Sequence, residues 1–250
     1  MNFSNQLWGM ITILIVAVLF WFAYRSAKKE NYILSISLIC ISGFILRLFT
    51  GMDFYLQAWD ERYHALVAKN LLQHIFVPTL YEQPLFDYDF KDWGNNHIWV
   101  HKPPLTLWLI MVSLKIFGIN EIAVRLPSIL LTSIGIFLTY YIGKHFFKEK
   151  TGLLAAFFYA INGFLIELAT GHHPTDHPDI LFVFFVELGI FFSIYYLQHK
   201  SFFVLSLIGI ATGCALLTKW LPGLIIVGIL FLLLIQQESW KQVIGKCSKV

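Results

Sequence analysis

The chain has 250 residues, of which 58% are hydrophobic and 13% charged, with a net charge of +3. Soluble domains carry charge on about a quarter of their residues, so this composition excludes an ordinary water-soluble globule and makes lipid the expected solvent. The basic residues are scattered and form no stripe, which excludes nucleic acid as a partner.

A helix needs about 20 mostly apolar residues to cross ~30 Å of hydrocarbon. The first such run, 6–24, is followed by Arg25, Lys28 and Lys29 and has no basic residue before it. With no small-residue cleavage site behind it, the run is predicted to be retained as a span whose N-terminus lies outside. A second span is expected over 32–50, with Arg47 towards its outer end.

Residues 51–126 hold eight of the 15 acids and four of the eight tryptophans (Trp59, Trp93, Trp99, Trp108). Loops longer than about 15 residues are usually functional, so this segment is predicted to be an extracytoplasmic loop that carries the chemistry. Two interfacial helices are expected in it. One starts at Asp60 and Glu61 and places Ala65, Ala68, Leu71 and Leu72 on an apolar face. The other is the apolar run Pro104–Phe117, which at about 14 residues, with Lys115 inside and Pro103–Pro104 at its start, is too short to cross.

Five more spans are expected over 127–146, 151–170, 179–197, 202–218 and 221–236, giving about seven in all. This arrangement puts Arg25/Lys28/Lys29, Lys144/Lys148/Lys150, Lys200 and Lys241/Lys246/Lys249 on one side, ten of the 18 basic residues, with only Glu30, Glu149 and Glu238 among the acids. That bias marks the cytoplasmic face. Cys40 and Cys214 fall inside apolar runs and read as small buried hydrophobes. Gly209 and Gly213 have the spacing of close helix packing. Glu187 lies mid-span, where an ionisable group needs a partner; Arg47 is the expected one.

Three polar clusters are predicted on the outer face. In Trp59-Asp60-Glu61-Arg62-Tyr63-His64 the acids could serve as a general base, or simply complement the helix dipole in a first turn. In His101-Lys102-Pro103-Pro104 a lysine beside two rigid prolines and near Trp99 and Trp108 could grip a lipid-borne phosphate, or could merely snorkel. In Gly171-His172-His173-Pro174-Thr175-Asp176-His177-Pro178-Asp179, three histidines and two aspartates could supply a base or bind a divalent metal. His172, His173 and His177 are the metal candidates, although two prolines interrupt any helical ligand spacing.

Taken together and in order, these clusters resemble the protein O-mannosyltransferase-like branch of the GT-C superfamily of membrane glycosyltransferases, which includes dolichyl-phosphate-mannose protein mannosyltransferases and lipid A aminoarabinose transferases. The resemblance runs over about 32–236 and is carried by Asp60-Glu61 with Ala65 and Ala68, His101-Lys102-Pro103-Pro104-Leu105, Phe117-Gly118-Ile119-Asn120-Glu121 running into Arg125-Leu126-Pro127-Ser128, Asp176 and Asp179, and Leu217-Thr218-Lys219. It implies an all-α polytopic helix bundle of GT-C type with juxtamembrane helices in its first outer loop. It also implies that 1–250 is a single transmembrane glycosyltransferase domain, the N-terminal portion of what longer relatives contain.

By the same resemblance, Asp60 is the acid that orients or deprotonates an acceptor hydroxyl, Glu61 supports it, and Asp179 or Asp176 is the second acidic residue. Lys102, with His101, is the ligand of the donor phosphate. The chain departs from the family at His101, where some relatives have an acid, and at Arg62, which follows Glu61 directly. The implied reaction moves a hexose or pentose from a polyprenyl-phosphate donor to a hydroxyl of a protein, lipid A or envelope glycan. It takes place on the extracytoplasmic face of the inner or plasma membrane. Two other classes stay open: a transporter or flippase of lipid-linked sugars using Glu187, and a membrane metallo-enzyme built on His172–Asp179.

Overall fold

The computed structural model describes residues 3–85, 87–89, 91, 96–174 and 177–235. Ten α-helices lie among them: α1 Phe3–Lys28, α2 Tyr32–Gly51, α3 Asp60–Leu71, α4 Pro104–Phe117, α5 Glu121–Phe146, α6 Glu149–Ile161, α7 Gly163–Ala169, α8 His177–His199, α9 Phe202–Lys219 and α10 Ile225–Ile235. A 3₁₀ turn, Leu221–Leu224, joins α9 to α10.

Five helices (α1, α2, α5, α8 and α9) are long and apolar enough to cross a membrane, and a sixth span results if α6 and α7 are taken as one. The run expected as an unbroken span over 151–170 is bent by 55° between α6 and α7. Asn162 makes the break: its side chain accepts a hydrogen bond from Leu165 N at 3.0 Å, starting a new helix where the old one stops. The last expected span begins in the 3₁₀ turn at Pro222 and is described as far as Ile235, a shorter apolar helix than the others. Pro104–Phe117 also falls below spanning length, as the sequence predicts.

Of the hydrophobic clusters in the bundle, two are the largest. Along α8, α9 and α10, Leu181, Phe184, Leu205, Ile208, Ile226 and Leu230 pack together. In the other, α3 and α4 close over the start of α5 through Val67, Ala68, Leu71, Leu107, Ile110 and Val124. The second cluster exists because α3 repeats apolar residues at three and four positions, one face of a helix. That face sits on protein and turns the first acidic turn of α3 toward the bundle.

Close packing falls at Gly143 and Gly152. A Cβ on Gly152 would meet Tyr140 O at 2.4 Å, and one on Gly143 would meet Gly152 Cα at 2.9 Å, so α5 and α6 touch backbone to backbone. Gly213 has open space around it, so the reading of its spacing as tight packing is corrected.

Arg47 and Glu187 lie within electrostatic reach of each other, but their hydrogen bonds go elsewhere. Arg47 is fully buried and donates to Thr132 Oγ1, Gly43 O, Ala160 O and Tyr159 O, at 3.0–3.3 Å. The last two carbonyls lie at the C-terminal end of α6, where Tyr159 O otherwise accepts only from Asn162 N at 3.4 Å, so the guanidinium caps the helix end. Glu187 instead accepts from Thr139 Oγ1 at 3.3 Å. Cys40 and Cys214 are free thiols in partly buried positions.

The ends of the bundle differ chemically. Gly51, Arg125, His177 and Lys219 converge at one end, where the 51–126 segment docks. Lys28, Lys144, Lys148, Lys150 and Lys200 fall at helix termini of the other, where Lys144 Nζ pairs with Glu149 Oε1 at 2.6 Å.

Candidate functional site

The connection between α3 and α4 folds back on itself and so sets the site. Thr79 and Ile98 form an antiparallel bridge, flanked by Leu80 N donating to His97 O and Trp99 N donating to Pro78 O, both at 2.7 Å. Buried Asn70 closes the end of α3 by donating to Thr79 O and Leu80 O at 3.0 and 3.1 Å. Trp99, 1% exposed, stacks on Tyr63 with ring centroids 5.1 Å apart. The bridge therefore returns residues 99–102 to the first turn of α3.

There, Lys102 Nζ lies 3.4 Å from Asp60 Oδ2. Lys102 keeps about a quarter of its side chain exposed, while Asp60 is nearly covered. His101 packs edge-on against Trp99, with centroids 5.5 Å apart. Burial and the neighbouring charge of Lys102 hold its imidazole pKa below the ordinary 6.5, against the opposite pull of Asp60. His101 is thus a neutral hydrogen-bonding ring beside a cation. Arg62 turns away from the acids and donates to Leu56 O at 3.2 Å.

The adjacent carboxylate is differently placed. Glu61 is fully buried and receives Arg125 Nε at 2.7 Å and Nη2 at 3.1 Å, a bidentate pair. Gln57 N donates to its second oxygen at 2.6 Å, and His177 Nε2 stands 3.5 Å from the first. Burial alone would raise the Glu61 pKa, but the hydrogen bonds from His177 and Arg125 outweigh it and hold the carboxyl below the ordinary 4.5. Arg125 also donates to Gly51 O, Asp53 O and Tyr55 O at 2.7–3.0 Å, so one guanidinium ties together the end of α2, the start of α3 and α5. Gly171, at φ +72°, presses its backbone on the same carboxylate.

A second acid–cation pair stands opposite: Lys219 Nζ, at the end of α9, contacts Asp179 Oδ1 in the first turn of α8. Lys219 also lies within electrostatic reach of Lys102. The arrangement offers two carboxylates, each with a lysine.

Of the residues singled out from sequence, the structure brings together Asp60, Lys102, His101 and Glu61, and places Asp179 on the neighbouring pair. Asp176 lies outside the described residues. The three histidines diverge: His172 Nε2 lies 3.6 Å from Asp53 and its Nδ1 is 3.0 Å from Thr170 Oγ1, His173 packs on Phe164, and His177 Nδ1 meets Ser128 Oγ at 2.9 Å. Among the described residues no three His, Cys, Asp or Glu side chains gather as a metal site, and His172, His173 and His177 do not come together there. Arg125 and Lys219 belong to the motifs noted above but carried no assigned role. The signal that could have found them is a cation at the end of an otherwise apolar span, which needs an anion or water.

The family model described as Dolichyl-phosphate-mannose-protein mannosyltransferase matches residues 101–248. An uncharacterised protein of Aquifex aeolicus is 29% identical over 178 residues, covering 70% of this chain and 32% of its own length. The undecaprenyl phosphate-alpha-4-amino-4-deoxy-L-arabinose arabinosyl transferase of Pseudomonas paraeruginosa is 27% identical over 164 residues, 62% of this chain and 29% of its own. The chain therefore spans about a third of the length of these curated relatives. In fold it is similar to ArnT from Cupriavidus metallidurans, solved in the apo state (TM-score 0.57, 18% identity, 85% of this chain and 37% of that one) and bound to undecaprenyl phosphate (TM-score 0.54, 18% identity, 84% and 36%).

Proposed function

We propose, from the premise that this chain belongs to the dolichyl-phosphate-mannose-protein mannosyltransferase family, that residues 1–250 act as one transmembrane glycosyltransferase domain. The donor is a sugar on a polyprenyl phosphate, as the names of the aminoarabinose transferase relatives suggest. The acceptor is a hydroxyl of a membrane glycolipid or protein. Basic residues gather at the end of the bundle away from Asp60, and that bias supports an outward-facing site in the inner or plasma membrane.

The observation that carries this reading is the pairing of Asp60 with Lys102 beside Asp179 with Lys219, the lysines within reach of each other. A sugar phosphodiester carries one negative charge, and the phosphate that leaves gains nearly a second. Two lysines match that growing charge and stabilise it most at the transition state. Lys102 and His101 bind the phosphate, Lys102 by charge and His101 as a neutral hydrogen-bond donor.

An acceptor oxygen attacks the anomeric carbon, the carbon–oxygen bond to phosphate breaks, and its electron pair leaves with the phosphate. The acceptor proton passes to Asp60. A phosphate arriving at Lys102 competes for the ammonium that Asp60 holds, so donor binding releases the carboxylate that acts as base. Glu61, locked by Arg125, is a positioning residue that fixes the first turn of α3. Asp179 holds Lys219 toward the phosphate, and by the family resemblance Asp176 is the alternative second acid.

Purified Asp60→Asn, Lys102→Ala, Asp179→Asn and Lys219→Ala variants should be assayed for transfer from undecaprenyl-phosphate aminoarabinose and dolichyl-phosphate mannose. Asp60→Asn should lose about 10²–10⁴-fold in rate with its fold intact, as loss of a general base does. Full transfer by the Asp60 and Lys102 variants would overturn the assignment.

A further inference from the structure

At the end of the bundle away from Asp60, a cavity of about 570 Å³ opens between α1, α2 and α6. Its inner wall is apolar, built from Ala23, Ile39 and Leu153, and Phe20 meets Phe157 edge to face across it at 5.0 Å. Lys28, in the last turn of α1, and Lys150, in the first turn of α6, also line it. Eight residues of α1 and seven of α6 separate the lysines from the aromatic pair, so the apolar part is about 10–12 Å deep at 1.5 Å per residue. Ser35, a hydroxyl on the wall, donates to Ala23 O at 2.9 Å and is satisfied within the protein.

The lysines sit where neither helix alone accounts for both. Lys28 holds its Nζ over the Tyr24 ring, 4.8 Å from the centroid, and complements the C-terminal end of α1. Lys150 stands exposed at the N-terminal end of α6, where the helix dipole disfavours a cation. Its neighbour Glu149 is already engaged by Lys144 and Tyr140. An anion at the mouth would offset both charges.

We propose that this cavity holds an acyl chain of an anionic glycerophospholipid, its phosphate placed between Lys28 and Lys150. The apolar depth below the charges requires a tail, which a free phosphate lacks, and the two cations select a net negative headgroup over a zwitterionic one. Basic pockets between membrane helices bind anionic headgroups by this chemistry. The site lies at the opposite end of the bundle from Asp60 and is independent of the transfer reaction.

The test offers the purified full-length protein equal amounts of phosphatidylglycerol and phosphatidylcholine and counts retained lipid by native mass spectrometry. Wild type should retain phosphatidylglycerol preferentially, and Lys28→Ala with Lys150→Ala should lower that preference about fivefold for each lysine, the effect of one basic residue near an anionic headgroup. Both lysines are exposed, so the fold should persist, which a matched size-exclusion profile checks. Ala27→Phe, which narrows the cavity, should reduce retention of both lipids. Equal retention of the two lipids by wild type, unchanged preference in the double variant, or unchanged retention in Ala27→Phe would each overturn the proposal.

Discussion

Glu61 and Arg125 meet as a fully buried bidentate pair, Nε to Oε1 at 2.7 Å and Nη2 to Oε2 at 3.1 Å, and the rest of the guanidinium is spent on three backbone carbonyls. The pair divides the two neighbouring acids. Asp60 faces a partly exposed lysine and can exchange partners; Glu61 is locked into the protein.

Breaking that pair from one side leaves a buried charge unmatched, which costs about 3–5 kcal/mol. Glu61→Gln and Arg125→Met should each lower thermal stability of the detergent-purified protein by that order. The double variant should lose less than the sum of the two, as a double-mutant cycle would show.

Acid should act through the same residue. Because the native Glu61 pKa lies below 4.5, its ionised form is favoured by folding. The sign follows: this contribution is fully present above about pH 4.5, the unfolded value, and is lost as the pH falls from there through the lower native one. Melting temperatures measured from pH 7 down to 3.5 should fall more steeply for wild type than for Glu61→Gln.

Two glycines predict opposite outcomes for one substitution. A Cβ on Gly171 would fall 2.1 Å from Glu61 Oε1, and its φ of +72° already disfavours a side chain. Gly171→Ala should destabilise by about 1–3 kcal/mol. Gly213→Ala meets nothing within 4 Å and gains helix propensity, so it should be neutral or stabilising by up to about 1 kcal/mol. Thermal unfolding of the two variants side by side checks the contrast.

Cysteine accessibility checks the sidedness. In a chain whose native cysteines are replaced by serine, Asp87→Cys and His172→Cys should react with an impermeant maleimide added outside intact cells, and Lys148→Cys only after permeabilisation. Labelling of positions 87 and 172 from different sides would break the proposed site.

The membrane class, the long spans, the two shorter helices α3 and α4 and the acidic start of α3 were all legible in the sequence. Each depends on local periodicity, apolar length or charge near a span end, and these act within one segment. Asp60-Glu61 and His101-Lys102 could be named from their motifs for the same reason. Three other matters were decided only by tertiary structure. Which acid takes the free lysine and which the buried arginine depends on how α3 turns against α5 and on the Thr79–Ile98 bridge, contacts far apart in the chain. Arg47 gives its hydrogen bonds to the carbonyls at the α6–α7 break and keeps Glu187 only within electrostatic reach, because a buried donor goes to acceptors placed by the bend. The histidines of 172–177 part company because each finds a partner on a different element, and a metal set needs all of them to converge in space.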